Sequence, residues 1–183
     1  MSTRPRRIAE LVDRGALIAC STDTIWGFSC HPLRSDAIRR LLQLKRRPLE
    51  KGLILIGSDW PQFAPYLQPG WLERLQSTTP DGGRPTTWVV PAATDCPPWI
   101  SPDGRSLALR RCLAEPVRSI CDRLDAPLVS TSANRSGQPV ARNRFVVERQ
   151  FGTALDAVIG PHETLDNPPS RIVDLQSGRI LRP

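Results

Sequence analysis

The chain has 183 residues and a formal net charge of +7, with a mean hydropathy of −0.29 and a sequence pI near 9.9. That length suits a single domain over 1–183 with a substantial core, and no apolar run approaches the ~20 residues that span a bilayer, so no membrane partner is expected. Five cysteines without a C-x-x-C pair, and two histidines far apart, His31 and His162, argue against a disulfide framework or a metal site, while the basic charge favours an acidic partner, whether nucleotide, RNA or both.

The basic start, Met1 to Arg7, runs into the amphipathic Ile8-Ala9-Glu10-Leu11-Val12-Asp13. It lacks the apolar centre of a signal peptide, so the cytoplasm is the default location. A first helix is predicted over 6–14, ending at Gly15, and a buried strand over 16–20. The polar cluster Ser21-Thr22-Asp23-Thr24-Ile25-Trp26-Gly27-Phe28 follows at the strand's C-terminal end. It reads either as a ligand-binding edge of an α/β sheet or as a turn whose hydroxyls bond their own backbone.

A second helix starts near Ser35, which is placed to cap it, and carries its apolar stripe through Ile38, Leu41, Leu42 and Leu44. It delivers the stretch Leu44-Lys45-Arg46-Arg47-Pro48-Leu49-Glu50-Lys51-Gly52. Only two of the 25 basic residues are lysine, and both lie here. A chain that writes arginine for every other cation suggests a need for a compact ammonium at these two places. Four cations at a proline turn form either an anion-neutralising corner or a solvated helix end favoured by the helix dipole. Leu53-Ile54-Leu55-Ile56 reads as a strand buried on both faces.

Two short helical patterns surround Pro65 and Pro69-Gly70 within 59–77. Residues 80–85 read as a loop, 86–90 as a strand stopped by Pro91, and the Pro-, Asp- and Gly-rich 92–105 as a mobile excursion. Another strand is expected over 106–112 and a helix over 116–124. Residues 127–139 form a short strand running into Ser130-Thr131-Ser132-Ala133-Asn134-Arg135-Ser136-Gly137. So many neutral donors and exposed backbone N–H groups suit phosphate oxygens, or else supply caps for a following helix. Two short strands, 169–174 and 179–183, joined by a Gln-Ser-Gly turn, close the chain. Strands alternating with helices indicate α/β layers. No G-x-x-x-x-G-K-[ST] loop, G-x-G-x-x-G or histidine beside a serine nucleophile is present, which counts against ordinary ATPase and hydrolase chemistry.

These segments together resemble the YrdC/TsaC family of threonylcarbamoyl-AMP synthases. The resemblance is carried by Thr22-Asp23-Thr24, by Leu44-Lys45-x-Arg47-Pro48-x-x-Lys51-x-Leu53, by Leu109-Arg110, by Ser130-Thr131-Ser132-Ala133-Asn134-x-Ser136-Gly137-x-Pro139, by Pro169-Ser170-x-Ile172-Val173-Asp174 and by Ile180-Leu181-Arg182-Pro183. It covers nearly the whole chain and is closest to the short, single-domain type. Ser21 and Gly52 stand where proline is usual, Arg171 replaces a small hydroxyl residue, and Gly83-Arg84-Pro85 replaces a Trp-Pro-Gly-Pro-like turn.

The resemblance implies a YrdC-like α/β fold: a twisted, mostly mixed sheet flanked by helices, with a basic concave groove. It implies the joining of L-threonine, bicarbonate and Mg2+-ATP into threonylcarbamoyl-AMP and pyrophosphate, for threonylcarbamoyl-adenosine in tRNA. Lys45, Arg47, Ser132 and Asn134 would be the catalytic group. Arg47, Lys51, Ser106, Ser132, Asn134, Val140 and Arg182 would hold ATP, and Thr24, Arg110, Ser130 and Ser170 would line the threonine pocket, Arg110 facing the carboxylate. No metal ligand set is implied. The implied partners are tRNA or other RNA and the downstream tRNA threonylcarbamoyl-transferase proteins. The reading from another class is an RNA-binding module with a basic concave face and no chemistry. Aromatic residues make up only 5% and do not interleave with the cations as base-stacking platforms do.

Overall fold

A computed structural model describes residues 3–78 and 83–183. Its centre is one nine-stranded mixed sheet. In chain order the strands are β1 (Ile18–Ser21), β2 (Trp26–Cys30), β3 (Ile54–Gly57), β4 (Thr86–Pro91), β5 (Ser106–Arg111), β6 (Leu128–Ser132), β7 (Ala157–Ile159), β8 (Arg171–Asp174) and β9 (Ile180–Arg182). Across the sheet they lie in the order β7-β1-β2-β6-β3-β5-β4-β8-β9. Pairs β1·β7, β3·β5 and β4·β8 are parallel and the rest antiparallel. Five α-helices accompany them: α1 (Thr3–Asp13), α2 (Ser35–Lys45), α3 (Trp71–Gln76), α4 (Val117–Leu124) and α5 (Arg144–Phe151).

Side chains alternate across a pleated sheet, and here the two faces differ. A continuous apolar row, Cys30–Val129–Leu55–Leu109–Trp88–Val173, runs in register over six strands. It joins the main core with Phe28 of β2 and with Ile38, Leu41, Phe63, Leu75 and Phe151 from the segments that cover this face. The opposite face is divided. At one end Ile18, Cys20, Ile56 and Leu128 pack under α1 and α4 with Val12, Val117 and Ile120. At the other end no helix follows, and the same strands present Gly27, Ile54, Ala108, Arg110, Ser130, Ser132, Thr87 and Ile172 to a cavity. Polar residues that would be costly under a helix are therefore gathered where the sheet is bare.

The first helix, the second helix and the strands over 53–56, 86–90, 106–112, 169–174 and 179–183 lie close to their expected places. The proline-interrupted pattern in 59–77 resolves into a 3-10 segment, Trp60–Tyr66, and α3. Four expectations are corrected. Ser35 is the first residue of α2, and the cap position falls to extended Arg34 without a side-chain bond. Trp26, Gly27 and Phe28, grouped with the polar cluster that begins at Ser21, belong instead to β2, where Trp26, Phe28 and Cys30 are fully buried and make it an internal strand.

Residues 92–105 carry no regular element among themselves, yet they are pinned rather than loose. Ile100 and Ser101 are buried, Ala92 N–H donates to the Arg105 carbonyl at 2.9 Å, and the Trp99 indole donates to the Pro32 carbonyl at 2.9 Å. Finally, α5 and β7 follow the Ser/Asn-rich stretch, and α5 is capped by Asn143, which accepts from Val146 N–H at 2.9 Å, not by the serines or asparagine of 130–136. Of the loop expected over 80–85, residues 80–82 lie outside the described residues.

Gly57 ends β3 against the core. A Cβ there would stand 2.7 Å from Phe63 Cζ and 2.8 Å from Gln62 Oε1, and Phe63 is fully buried with no free space to retreat into. Gly57→Ala should therefore lower stability by about 1–3 kcal/mol, read as a lower urea midpoint at unchanged slope. An unchanged midpoint would show that Phe63 and Gln62 yield without cost.

Candidate functional site

The bare half of the sheet face is the floor of a cavity of about 540 Å³. Ten of the twelve residues expected at the site line it: Thr24, Arg47, Lys51, Ser106, Arg110, Ser130, Ser132, Val140, Ser170 and Arg182. Lys45 and Asn134 do not reach its wall. They stand directly behind it, and their geometry says what they do.

Lys45 ends α2 and is only 2% exposed. Its Nζ donates to the Ser132 carbonyl at 2.6 Å, the Asn134 Oδ1 at 2.9 Å, the Asn134 carbonyl at 3.1 Å and the Ser132 hydroxyl at 3.3 Å. Ser136 N–H returns a bond to the Lys45 carbonyl at 2.8 Å. The Ser132 hydroxyl in turn donates to Asn134 Oδ1 at 2.7 Å, and the Asn134 amide donates to the Gln138 carbonyl. A compact ammonium with three protons meets four convergent oxygens, which a planar guanidinium could not do in the same space. The basic corner is thus built from the inside: Lys45 fixes the Ser132-Ala133-Asn134 turn, and Arg47, Lys51, Arg110 and Arg182 line the cavity.

Beyond Lys45 the chain turns sharply. Arg46 takes a left-handed conformation (φ 52°) with its N–H on the Gln43 and Leu42 carbonyls. Arg47 folds its half-buried guanidinium back onto the Gly52 carbonyl at 2.8 and 3.2 Å and the Lys51 carbonyl at 2.9 Å, closing the short 3-10 turn Leu49–Lys51. Gly52 has φ +58° and donates its N–H to the Leu49 carbonyl at 3.0 Å. A proline, locked near −65° and without that N–H, could do neither. Exposed Lys51 is left with its ammonium on the cavity rim.

On the floor, Arg110 is 6% exposed in β5 and is held by Asp23 Oδ1 at 3.0 Å and the Thr24 hydroxyl at 3.1 Å. Thr22 shapes the β1–β2 turn that brings both there, accepting from Thr24 and Ile25 N–H at 3.1 and 3.2 Å and donating to the Ile25 carbonyl at 2.8 Å. The cluster is thus a hydroxyl turn whose Thr22 and Thr24 also line the cavity. Arg182, at the end of β9, donates to the Ser170 carbonyl at 2.6 and 3.2 Å, and the Ser170 hydroxyl meets that of Thr87 at 2.8 Å. Partial burial lowers the affinity of Arg182 for its proton, and the like charge of Arg110 acts in the same direction. Two guanidiniums near one another at a concave surface favour an anion between them.

Sequence reasoning missed Thr87 and Asp103. Thr87 carries a weak signal, being one of two threonines that open the apolar run of β4. Asp103 had none, lying in the irregular 92–105. Its carboxylate accepts from Arg105 and Ser106 N–H at 2.9 and 3.0 Å and from the Ser106 hydroxyl at 3.0 Å. These bonds, the backbone ones foremost, hold its pKa down at about 2 and orient Ser106 on the cavity wall. Gly27 leaves the floor open, since a Cβ there would stand 3.2 Å from the Ser130 hydroxyl.

The family model for Sua5, YciO and YrdC proteins, described as telomere recombination, matches residues 10–183, and the chain belongs to that family. It is 44% identical to the threonylcarbamoyl-AMP synthase of Stutzerimonas stutzeri strain A1501, over 98% of this chain and 97% of the relative. It is 40% identical to the enzyme of that name from Pseudomonas aeruginosa UCBPP-PA14, over the whole chain and 98% of the relative. Among solved structures it superimposes on P. abyssi Sua5 complexed with L-threonine with a TM-score of 0.85 at 26% identity, covering 98% of this chain. It spans 54% of the length of that Sua5 chain. E. coli YciO shares the fold, with a TM-score of 0.81 at 17% identity. The YrdC-like α/β fold expected from sequence is the fold observed.

Burial, with the Arg47 charge adding to it, lowers the Lys45 pKa from 10.5 to about 8. Between those values the unfolded chain binds the proton that the folded chain releases, so the Lys45 contribution to stability should rise with pH from 8 to 10.5. Denaturant titrations of wild type and Lys45→Met across that window test this. The stability difference should grow in favour of wild type, and a flat difference would mean that Lys45 binds its proton as it does in water.

Proposed function

We propose that the protein is a threonylcarbamoyl-AMP synthase, an enzyme of the nucleotidyltransferase type, which forms L-threonylcarbamoyl-AMP and pyrophosphate from L-threonine, bicarbonate and Mg-ATP. The observation that carries this reading is the arrangement of cations around one cavity: Arg110 recessed in the floor beside Thr24, with Arg47, Lys51 and Arg182 at the rim. One buried guanidinium suits a carboxylate, and a separate group of rim cations suits a polyphosphate. Full-length relatives of that name at 40–44% identity support it, as does the threonine complex of a protein with the same fold.

The chemistry requires no protein nucleophile. The threonine amine takes up the carbon of bicarbonate to give a carbamate, with loss of water. A carbamate oxygen then attacks the α-phosphorus of ATP in line, the bond to the bridging β-oxygen breaks, and pyrophosphate leaves with that electron pair. What a protein must supply is alignment of two anions and neutralisation of their charge. In this reading Arg110, Thr24, Ser130 and Ser170 hold threonine. Arg47, Lys51, Ser106, Val140 and Arg182 hold the nucleotide with the Ser132–Asn134 turn, and Lys45 keeps that turn in place. Mg2+ would enter with ATP and would ease charge on the pyrophosphate; among the described residues no cluster of three or more His, Cys, Asp or Glu could hold a metal of its own.

We place the product in the path to threonylcarbamoyl-adenosine in tRNA, with tRNA threonylcarbamoyl-transferase proteins as its recipients. We place the protein in the cytoplasm, where five unpaired cysteines, four of them buried, are at home. Among the described residues no helix is long and apolar enough to cross a membrane. The test is pyrophosphate release: it should require ATP, threonine and bicarbonate together. RNA binding without threonine-dependent pyrophosphate would favour the RNA-binding module instead.

Two substitutions divide the cavity. Arg110→Ala should cost threonine binding about 1.5–3 kcal/mol, because a substrate carboxylate would be left without its partner. That is a rise in threonine KM of roughly tenfold or more with the ATP KM little changed, and the reverse pattern would contradict the assignment. Deleting Arg182 and Pro183 removes little apolar surface and should lower stability by about 1 kcal/mol or less. Calorimetric titration should nevertheless show ATP affinity several-fold to about tenfold weaker, as expected for loss of a charge-assisted contact. Wild-type affinity in the truncated protein would show that Arg182 does not serve the nucleotide.

A further inference from the structure

We infer that Asp23 is the positioning residue of the carboxylate clamp, acting on the substrate only through Arg110; the inference rests on the reading of Arg110 as the threonine carboxylate's partner. The turn between β1 and β2 puts Thr22, Thr24 and Ile25 on the cavity wall, but Asp23 is not among the lining residues. Its carboxylate points behind the wall to the Arg110 guanidinium. There Oδ1 takes Nη1 of Arg110 at 3.0 Å, while the Thr24 hydroxyl accepts from the same Nη1 at 3.1 Å.

A guanidinium has five N–H donors, two of them on each Nη. Both protons of Nη1 are thereby used on the protein, leaving Nη2 and Nε to form a two-pronged edge toward the cavity. That edge is the geometry a carboxylate accepts in bidentate fashion. Asp23 sets which edge it is, because the planar group cannot turn without giving up the ion pair.

Asp23 is itself anchored from two sides. Its backbone carbonyl accepts from the Asn167 amide at 3.0 Å, and its Oδ1 receives the Cys112 thiol at 3.4 Å. The pair is deep on one side only, with the Arg110 side chain 7% and the Asp23 side chain 29% exposed. A second need is electrostatic. Arg110 and Arg182 are close enough for their like charges to act on one another. With no substrate bound, Asp23 is the ion-pair partner that offsets this repulsion at Arg110. Without Asp23 the guanidinium would be free to rotate toward solvent and away from Arg182. A loop residue that only terminated a strand would require neither a carboxylate nor a position opposite Nη1.

The test is a double-mutant cycle on the whole protein, with threonine-dependent pyrophosphate release as the rate and calorimetric ATP titration as a separate readout. Asp23→Asn, which keeps the shape but loses the charge, should raise the threonine KM about tenfold, the order expected for loss of a charged hydrogen-bond partner, and leave ATP affinity within about twofold. Asp23→Glu should recover part of the loss, which a purely structural defect would not show. In an Arg110→Ala background the same Asp23→Asn change should add less than about twofold, since the group it positions is gone.

An equal effect in both backgrounds, or an unchanged threonine KM in Asp23→Asn, overturns the inference. Exposed Asn167→Ala provides a second probe that leaves the ion pair's own atoms intact; a rise of about two- to threefold in threonine KM supports the inference, and no change counts against it. If wild-type protein releases no threonine-dependent pyrophosphate, the enzyme assignment falls and this inference with it. If wild type is active and Arg110→Ala leaves the threonine KM alone, the pocket assignment fails instead.

Discussion

The ammonium of Lys45 ties together the two stretches from which the site is made. It lies at the end of α2 and is buried against four oxygens of Ser132 and Asn134, so the helix that begins the basic corner is fastened to the strand exit that supplies the hydroxyls. Remove that side chain and the Ser132 and Asn134 carbonyls each lose the ammonium as a donor, a cost of about 1–3 kcal/mol. The corner, the Ser132–Asn134 turn and the cavity wall between them are fixed relative to one another by this one cluster. The same burial that makes the cluster stiff makes the ammonium costly, which is why its proton is held less tightly than in water.

The second constraint is coverage of the sheet. One face is apolar from β2 to β8 and fully packed; the other is closed by α1 and α4 at one end only. Where it is left open, Ser130, Ser132, Arg110 and Thr87 stand on the same face as the leucine and isoleucines found under the helices. The cavity is therefore a consequence of where the second layer stops. The cations that line it come from three separate segments, the α2–β3 turn, β5 and β9, and their mutual repulsion is relieved by folding some of them onto carbonyls, Arg47 on Gly52 and Arg182 on Ser170. That arrangement is poised for anions, because each guanidinium keeps N–H donors to spare.

Much of this was legible from residues alone. The rarity of lysine marked Lys45 and Lys51 before any fold was known, and the run of hydroxyls from Ser130 marked the opposite wall. The direction of Lys45 was not legible: whether an ammonium meets a phosphate or its own chain's carbonyls depends on how far β6 lies from α2, a distance no local pattern encodes. β2 was hidden because Gly27 and Ser29 face the cavity side and interrupt its apolar run, so its burial is a property of its neighbours. α5 was hidden for a related reason, since only Val147 and Phe151 of its eight residues are buried. Asp103 belongs to an irregular segment and its own carboxylate bonds only to Ser101, Arg105 and Ser106, and Asp23 was visible as a motif residue while its partner, 87 residues on, was not.

The account stands on the claim that this cavity joins a carbamate of threonine to the α-phosphate of ATP. The most direct measurement is NMR of the product made from 13C-bicarbonate, threonine and Mg-ATP and recorded before it decomposes. The account predicts a carbamoyl carbon coupled to the phosphorus of AMP, the mark of a C–O–P linkage, appearing together with pyrophosphate. Pyrophosphate and AMP with the label left in bicarbonate, or ADP and phosphate in place of AMP, would contradict it.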